Sequence, residues 1–338
     1  MEPKFRVQWH LTNKCTNNCK FCYITQRKLR ELSTKEIFSI IDSLEESARK
    51  LGLKPMRIYF TGGDPLLRKD LFEILSYCRE KDIDIGILGC PNLLTSQIIK
   101  KLSKYISRYQ ISIDGLENTH DYFRGKGSFR LSISALKKLK KAGILTIVQS
   151  TVSKVNMEEM PSLAKYIASK KIADIYSFAR LVPEGAGKQF KEDLPSPSEY
   201  RDFLLKMFYT YQEIRKYNKE IMFHFKEPLW NLLFYELGLF HPKKTSYFVG
   251  GCGIGRQIVI DVDGSVYECR RYPVKIGKMP EQKLEEIFSS ELHIFHTKLE
   301  NIRKCRDCPL FHYCRGCRAI AYFVNSDYFA EDPQCWRV

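Results

Sequence analysis

No run of about 18 consecutive apolar residues, the length a membrane-spanning helix needs, occurs in the 338-residue chain, which excludes a helical membrane protein. Glycine (19) and proline (14) are too few for a collagen-like or low-complexity chain. Hydrophobic residues, at 44%, can build the core of one large domain or two modest ones, so disorder is excluded as well. Acidic residues are scarce beside basic ones, 39 against 55, for a formal charge of +16. That surplus raises nucleic acid, a membrane surface or an acidic substrate as partners. Lys137, Lys138, Lys140 and Lys141, however, fall in a helical pattern and read as a solvated face. Neither a nucleic-acid nor a membrane partner is expected. The opening Met1-Glu2-Pro3-Lys4 leads into no apolar stretch, so no secretory signal is read and a reducing, cytoplasmic location is expected.

What the chain has in abundance is cysteine, twelve in all. Cys15, Cys19 and Cys22 lie close together, Cys78 and Cys90 stand alone, and Cys252, Cys269, Cys305, Cys308, Cys314, Cys317 and Cys335 gather in the last quarter. In a chain this long without an export signal, such clustering points to metal ligation or redox chemistry rather than a disulfide framework. Cys78 and Cys90 fit no spacing and are expected to be buried structural thiols.

Short β-rich runs alternate with helical patterns through the first half, the mark of βα units around a parallel sheet. Six strands are expected, at Arg6–Leu11, Arg57–Phe60, Asp84–Leu88, Tyr109–Ile113, Leu145–Ser150 and Asp174–Phe178. Ser33 and Glu36 form a capping-box pattern ahead of Ile37, Ile40, Ile41 and Leu44, which share one helical face. From about Pro195 to Gly250 the chain turns helical and aromatic, and Tyr200, Phe203, Phe208, Tyr209, Tyr211, Trp230, Phe234 and Tyr235 read as helix core. An Asp263-Gly264 turn then joins a hairpin of Ile258–Ile260 with Ser265–Tyr267. Three parts are expected: 1–190, a helical bridge 191–250, and 251–338.

Parallel strands deliver their following loops to one end of the sheet. The first loop carries Cys15-Thr16-Asn17-Asn18-Cys19-Lys20-Phe21-Cys22, a CX3CX2C spacing. Three thiolates hold three irons of a cubane and leave the fourth iron open. A zinc site would want a fourth protein ligand, and the nearest candidate, His10, reads as a packed or edge histidine. The motif resembles that of the radical S-adenosylmethionine enzymes, and the resemblance covers nearly the whole chain. It implies an α/β fold with a partial (β/α)6 TIM-type barrel, and a 4Fe-4S cluster on Cys15, Cys19 and Cys22 whose open iron is chelated by S-adenosylmethionine. It further implies reductive cleavage of S-adenosylmethionine to a 5′-deoxyadenosyl radical that abstracts a substrate hydrogen atom. Phe21 holds the position whose backbone contacts adenine. Gly62, Gly63, Asp64 and Pro65 match the segment that receives the methionine ammonium, with Asp64 one methylene shorter than the family's usual Glu. Ser112 matches a ribose contact, Arg124 a carboxylate partner and Leu181 an adenine contact. A surface salt bridge is the alternative for Arg124.

The C-terminal cysteines resemble the SPASM domain, named for subtilosin, pyrroloquinoline quinone, anaerobic sulfatase and mycofactocin maturation. Its two auxiliary 4Fe-4S clusters would fall on Cys252, Cys269 and Cys317, and on Cys305, Cys308, Cys314 and Cys335, making three clusters in all. A zinc ribbon favours CX2C pairs about 15 to 20 residues apart, whereas here five separate them. The resemblance implies an oxidoreductase that modifies a peptide or protein, supplied by an electron donor such as ferredoxin or flavodoxin. Because the first strand begins by about Arg6, a separate leader-binding partner or a leader-independent substrate is expected. Sulfatase maturation is disfavoured, since Arg270 and Arg271 follow Cys269 in place of an aspartate. Two alternatives stand beside the peptide reading: an enzyme acting on a polycarboxylate tetrapyrrole in the siroheme-to-haem direction, and a non-catalytic iron-sulfur electron carrier.

Overall fold

Six βα units give six parallel strands, each ending within two residues of its expected limits: β1 (Phe5–Thr12), β2 (Met56–Gly62), β3 (Asp84–Leu88), β4 (Arg108–Ser112), β5 (Leu145–Val152) and β6 (Ile175–Arg180). The computed structural model describes residues 5–24, 29–54, 56–243, 245, 252–255 and 257–337. The opening tetrapeptide and the junction expected at 250–251 lie outside them. The expectation of six strands plus a separate hairpin is corrected in one respect. β7 (Met222–His224) pairs with β6, and β8 (Gln257–Ile260) pairs in parallel with β1 through Arg6↔Gln257 to Trp9↔Ile260. With β9 (Ser265–Tyr267) and β10 (Lys275–Lys278), the strands form one ten-stranded sheet in the order β10-β9-β8-β1-β2-β3-β4-β5-β6-β7.

Strand periodicity sorts the side chains into two environments. On β1, Phe5, Val7, Trp9 and Leu11 are buried in the main core together with Ile37, Ile40, Ile41 and Leu44 of the helix Thr34–Lys50. Each such aliphatic side chain contributes about 1.5–3 kcal/mol on burial. Ser33 caps that helix, with Glu36 closing the box by accepting from the Ser33 N–H at 2.8 Å; losing such a cap costs about 1 kcal/mol. The lysines at 137, 138 and 141 are exposed on the helix Ser128–Lys141, as a solvated face requires.

The opposite face is different. Arg6 and Gln8 of β1, Tyr59 of β2, Arg108 and Gln110 of β4, and Gln149 of β5 all line the barrel interior. Parallel strands covered on both faces ordinarily read as apolar runs, so this polar lumen is a chamber built for contents rather than a packed core. Among the bridge aromatics, Tyr200, Phe203, Tyr211 and Trp230 are core as expected, while Tyr209 and Tyr235 are exposed.

Candidate active site and auxiliary iron-sulfur sites

The C-terminal ends of β1 to β6 carry their loops to one rim. The CX3CX2C loop leaves β1 and is bonded back onto β2: the Gly63 N–H donates to the Thr12 carbonyl at 2.7 Å and the Asp64 N–H to the Lys14 carbonyl at 2.8 Å. Only glycine permits this approach. A Cβ on Gly62, whose φ is +127°, would stand 2.1 Å from the Thr12 oxygen, and one on Gly63 would stand 2.0 Å from that of Lys14. Pro65 opens the short turn Pro65–Leu67, and Asp64 caps it through Oδ1, which accepts the Leu66 N–H at 3.1 Å. The other oxygen, Oδ2, is buried without a hydrogen-bond partner. Burial, with a smaller push from the Cys15 thiol and against the Leu66 bond, raises the carboxyl to about 6. A buried acid oxygen left unsatisfied beside Cys15 fits a ligand ammonium.

Arg124 is not a surface residue. Its guanidinium pairs with the fully buried Asp114 and reaches Cys19 Sγ at 3.5 Å. Asp114 is itself fixed by the Thr151 N–H at 2.7 Å, and its carbonyl accepts from Asn156 Nδ2 at 2.7 Å. Burial works against the charge on Arg124, but the Asp114 carboxylate and Cys19 outweigh it and hold the pKa above the ordinary value. Burial likewise pushes the Cys19 thiol up while Arg124 pulls it down, toward the thiolate a metal requires. Ser112 ends β4 on the same face as Arg108 and Gln110, facing the lumen. Phe21 packs at tilted and edge-on angles against Phe123 and Phe190, with ring centroids 4.9 and 6.5 Å away, and Leu181 completes this apolar wall.

Cys90 corrects an expectation. Although half-buried in the loop after β3, it is no isolated structural thiol, for its Sγ lies 3.8 Å from Cys15 Sγ. Cys78 is buried in the core as expected. His10 is packed, as expected, yet it also joins two regions: its Nε2 meets Tyr23 Oη at 3.2 Å and its Nδ1 meets Asp261 Oδ1 at 3.4 Å. Sequence reasoning passed over Glu184, which follows β6. Burial, offset by Arg271 and Lys188, raises its carboxyl to about 7, and its Oε2 has no hydrogen-bond partner.

The C-terminal cysteines line two different hollows. Cys305, Cys308, Cys314 and Cys335 all line one recess of about 460 Å³. Cys252, Cys269 and Cys317 lie instead on the wall of the barrel chamber. Around them stand buried guanidinium atoms with no hydrogen-bond partner, Nε of Arg271 and both Nε and Nη2 of Arg318. Orphaned cationic donors beside thiols fit an anionic sulfur-ligated group. Among the described residues, no three cysteine, histidine or acidic side chains converge tightly enough for a single metal ion. The chamber, about 640 Å³ and open to solvent, falls within the roughly 300–1,000 Å³ of ordinary small-molecule sites. Arg6, Arg108, Arg270, Arg271, Arg318 and Lys226 line it, and so does Glu227, which is already paired with Arg180.

A parallel barrel with a three-cysteine loop at its rim, followed by a cysteine-rich unit opening onto its lumen, defines an iron-sulfur enzyme that uses S-adenosylmethionine. The Radical SAM superfamily model matches residues 9–167, and the model of SPASM, an iron-sulfur cluster-binding domain, matches residues 252–318. The chain belongs to the radical SAM superfamily and carries a SPASM domain, with S-adenosylmethionine and 4Fe-4S clusters as cofactors. It is 32% identical to the AdoMet-dependent heme synthase of Methanosarcina barkeri, over 97% of this chain and 95% of that protein. It is 27% identical to the mycofactocin maturase MftC of Mycolicibacterium smegmatis, over 97% of this chain and 82% of that protein. In fold it resembles the structure of anSMEcpe with bound AdoMet and Cp18Cys peptide, with a TM-score of 0.78 at 20% identity, covering 98% of this chain and 94% of the other. No helix among the described residues is long and apolar enough to cross a membrane. As a superfamily enzyme, the chain does not keep the electron-carrier alternative.

Proposed function

We propose that this protein is a radical S-adenosylmethionine oxidoreductase acting on a tetrapyrrole that bears several carboxylates, in the direction of haem. The observation that carries the reading is the cationic chamber, whose lining offers arginine and lysine against one acid that Arg180 already occupies. Guanidinium forks suit carboxylates. The 32% identity to a heme synthase over nearly the full length of both chains supports it. The sequence alone favours a peptide substrate; the charge of the chamber and the likeness to a heme synthase support the tetrapyrrole instead.

Cys15, Cys19 and Cys22 would hold the first cluster, and the two C-terminal sets the others, for three in all. When bound, the cluster and S-adenosylmethionine together supply hydrogen-atom abstraction. The chain's own residues bind and orient. The backbone of Gly62 and Gly63 and the free oxygen of Asp64 would take the ammonium. Arg124, fixed by Asp114, would offer positive charge to the methionine carboxylate, Ser112 would meet the ribose, and Phe21 and Leu181 would flank adenine while excluding water. In this reading, residues 1–190 form the barrel, 191–250 bridge, and 251–338 carry the auxiliary clusters. A cytoplasmic location and a ferredoxin- or flavodoxin-like electron donor complete it.

The likeness to a mycofactocin maturase supports a second reading, in which the substrate is a peptide presented by a separate leader-binding protein. One experiment separates the two. The anaerobic holo-protein is given dithionite, S-adenosylmethionine and an iron tetrapyrrole with carboxyethyl side chains, and both 5′-deoxyadenosine and the tetrapyrrole mass are followed. A changed mass is expected. An unchanged tetrapyrrole, together with modification of a short peptide encoded beside the protein, would overturn the first reading in favour of the second.

A further inference from the structure

A smaller hollow adjoins the chamber, and its walls come from both ends of the chain. Asn13 and Tyr23 flank the CX3CX2C loop, Glu184 follows β6, and Asp261, Arg270 and Tyr272 belong to the cysteine-rich unit. Its volume, about 100 Å³, is well below the roughly 300–1,000 Å³ of ordinary small-molecule sites, so it admits a side chain of a ligand and not a macrocycle. The hollow borders the segments expected to hold S-adenosylmethionine. Asn13 lies between Thr12 and Lys14, whose carbonyls accept from Gly63 and Asp64, and the Ala186 N–H, two residues past Glu184, donates to the Cys22 carbonyl at 2.9 Å. None of the residues expected to contact S-adenosylmethionine lines the chamber itself. A substrate seated there has to extend part of itself beyond the chamber wall. Among the described residues, Arg270 alone lines both spaces.

The polar groups of the hollow divide into those already used and those still free. His10 meets Tyr23 Oη at 3.2 Å and Asp261 Oδ1 at 3.4 Å, and the Val262 N–H donates to the same Asp261 oxygen at 2.8 Å. Arg270, by contrast, forms no ion pair among the described residues, and its guanidinium stands 5.5 Å from the centre of the Tyr23 ring. Glu184 keeps Oε2 buried without a hydrogen-bond partner. A guanidinium fork takes a carboxylate through two parallel bonds. Glu184, whose carboxyl burial raises to about 7, has a proton to share with the same group.

We propose that Arg270 is a specificity-determining residue that takes one carboxylate of the substrate where the chamber meets the small hollow and, with Glu184, draws that side chain toward the S-adenosylmethionine site. The other chamber cations would then hold the remaining carboxylates, and Arg270 would select which arm of the substrate is presented. The inference rests on the tetrapyrrole reading and deepens it, and the test keeps the two apart.

Wild type, Arg270→Gln, Arg270→Lys, Glu184→Ala and Arg108→Gln are prepared as anaerobic holo-proteins and analysed for iron. Arg108 opens β4, at the end of the chamber away from the rim. Each protein is titrated by visible absorbance with an iron tetrapyrrole bearing carboxyethyl side chains and with its methyl ester, and 5′-deoxyadenosine and altered tetrapyrrole are counted in the same turnover. Wild type should prefer the acid to the ester. Arg270→Gln should lose about tenfold of that preference, the worth of one charge-assisted pair, and should spend more 5′-deoxyadenosine per altered tetrapyrrole. Glu184→Ala should move both readings the same way, whereas Arg108→Gln should weaken binding at the wild-type ratio. Wild type that neither binds nor alters the tetrapyrrole would overturn the substrate reading, and the inference with it. Wild type that alters the tetrapyrrole while iron-replete Arg270→Gln keeps either its acid preference or its ratio would leave the substrate reading standing and overturn the role of Arg270. An equal change of ratio in Arg108→Gln would do the same, and unmoved readings in Glu184→Ala would remove the part given to Glu184. Arg270→Lys, which keeps the charge without the planar fork, should fall between wild type and Arg270→Gln. It decides the matter if Arg270→Gln loses iron, since wild-type values in it would overturn the proposal.

Discussion

The guanidinium of Arg180 grips the carboxylate of Asp332 through two parallel bonds, Nη1 to Oδ1 and Nη2 to Oδ2, each 2.7 Å long. Arg180 ends β6, and Asp332 lies three residues before Cys335. Asp332 Oδ2 also accepts the Cys317 N–H at 2.6 Å, while Gln334 Oε1 accepts a further bond from Arg180 Nη1 at 2.7 Å and Glu227 Oε1 one from Nη2 at 2.6 Å. One buried ion pair thus ties the barrel rim to a cysteine from each auxiliary set.

Removing one partner of a buried pair strands the other, at about 3–5 kcal/mol. Asp332→Ala should lose that much stability and also lose auxiliary iron, because Cys317 loses its anchor. Asp332→Asn, which can still accept the Cys317 N–H, should lose less iron than Asp332→Ala. Chemical denaturation and iron analysis check both, and full iron in Asp332→Ala would show the latch to be dispensable for the clusters.

His120 sets an acid limit on the barrel. It is fully buried, its Nδ1 accepts the Asp114 N–H at 3.1 Å, and burial, against the pull of Asp114, lowers its pKa to about 4. The unfolded chain takes up this proton near pH 6.5 and the folded chain only near pH 4. Stability should therefore be fully present above about 6.5 and be lost as pH falls toward 4, by on the order of 3 kcal/mol. Denaturation of His120→Gln across this range should give a flatter profile, and an unaltered slope would assign the effect elsewhere.

The two kinds of cysteine site should separate in assay. Cys15→Ala should abolish 5′-deoxyadenosine formation with dithionite, whereas Cys305→Ala should retain some formation and lose product. Normal formation in both variants would refute the assignment of the ligands.

Cys90 and Cys15 should be mutually reactive once the cluster is gone. With their sulfurs 3.8 Å apart, mild oxidation of the apo-protein by a low-molecular-weight disulfide should join them, protecting both from alkylation. Peptide mapping of wild type and Cys90→Ser reads this directly, and two alkylatable thiols in oxidised wild type would disprove it.

Local pattern was enough for the six barrel strands, the Ser33 cap and the β8–β9 hairpin, because each rests on spacing within a few residues. β7 has three residues, and β10, Lys275-Ile276-Gly277-Lys278, offers one large apolar side chain, so neither carries a strand period. Cys90 looked solitary because its neighbour Cys15 is 75 residues away in the chain, and Arg124 left two readings open because Asp114 is ten residues upstream. The polar lumen was written in the alternation of Arg6, Gln8 and His10 against Val7 and Trp9. It could be recognised as a chamber only once β4 and β5 were seen to bring Arg108, Gln110 and Gln149 to the same side.

The pairing of β1 with β8 also bears on how the chain comes together. A parallel barrel that does not close leaves its first strand with a bare row of amide and carbonyl groups, an invitation to aggregation. Here that row is covered by residues 257–260, made long after residues 6–9. During synthesis the barrel's leading edge stays exposed until residues 257–260 emerge, so the hiding of an adhesive edge waits on the cysteine-rich quarter of the chain.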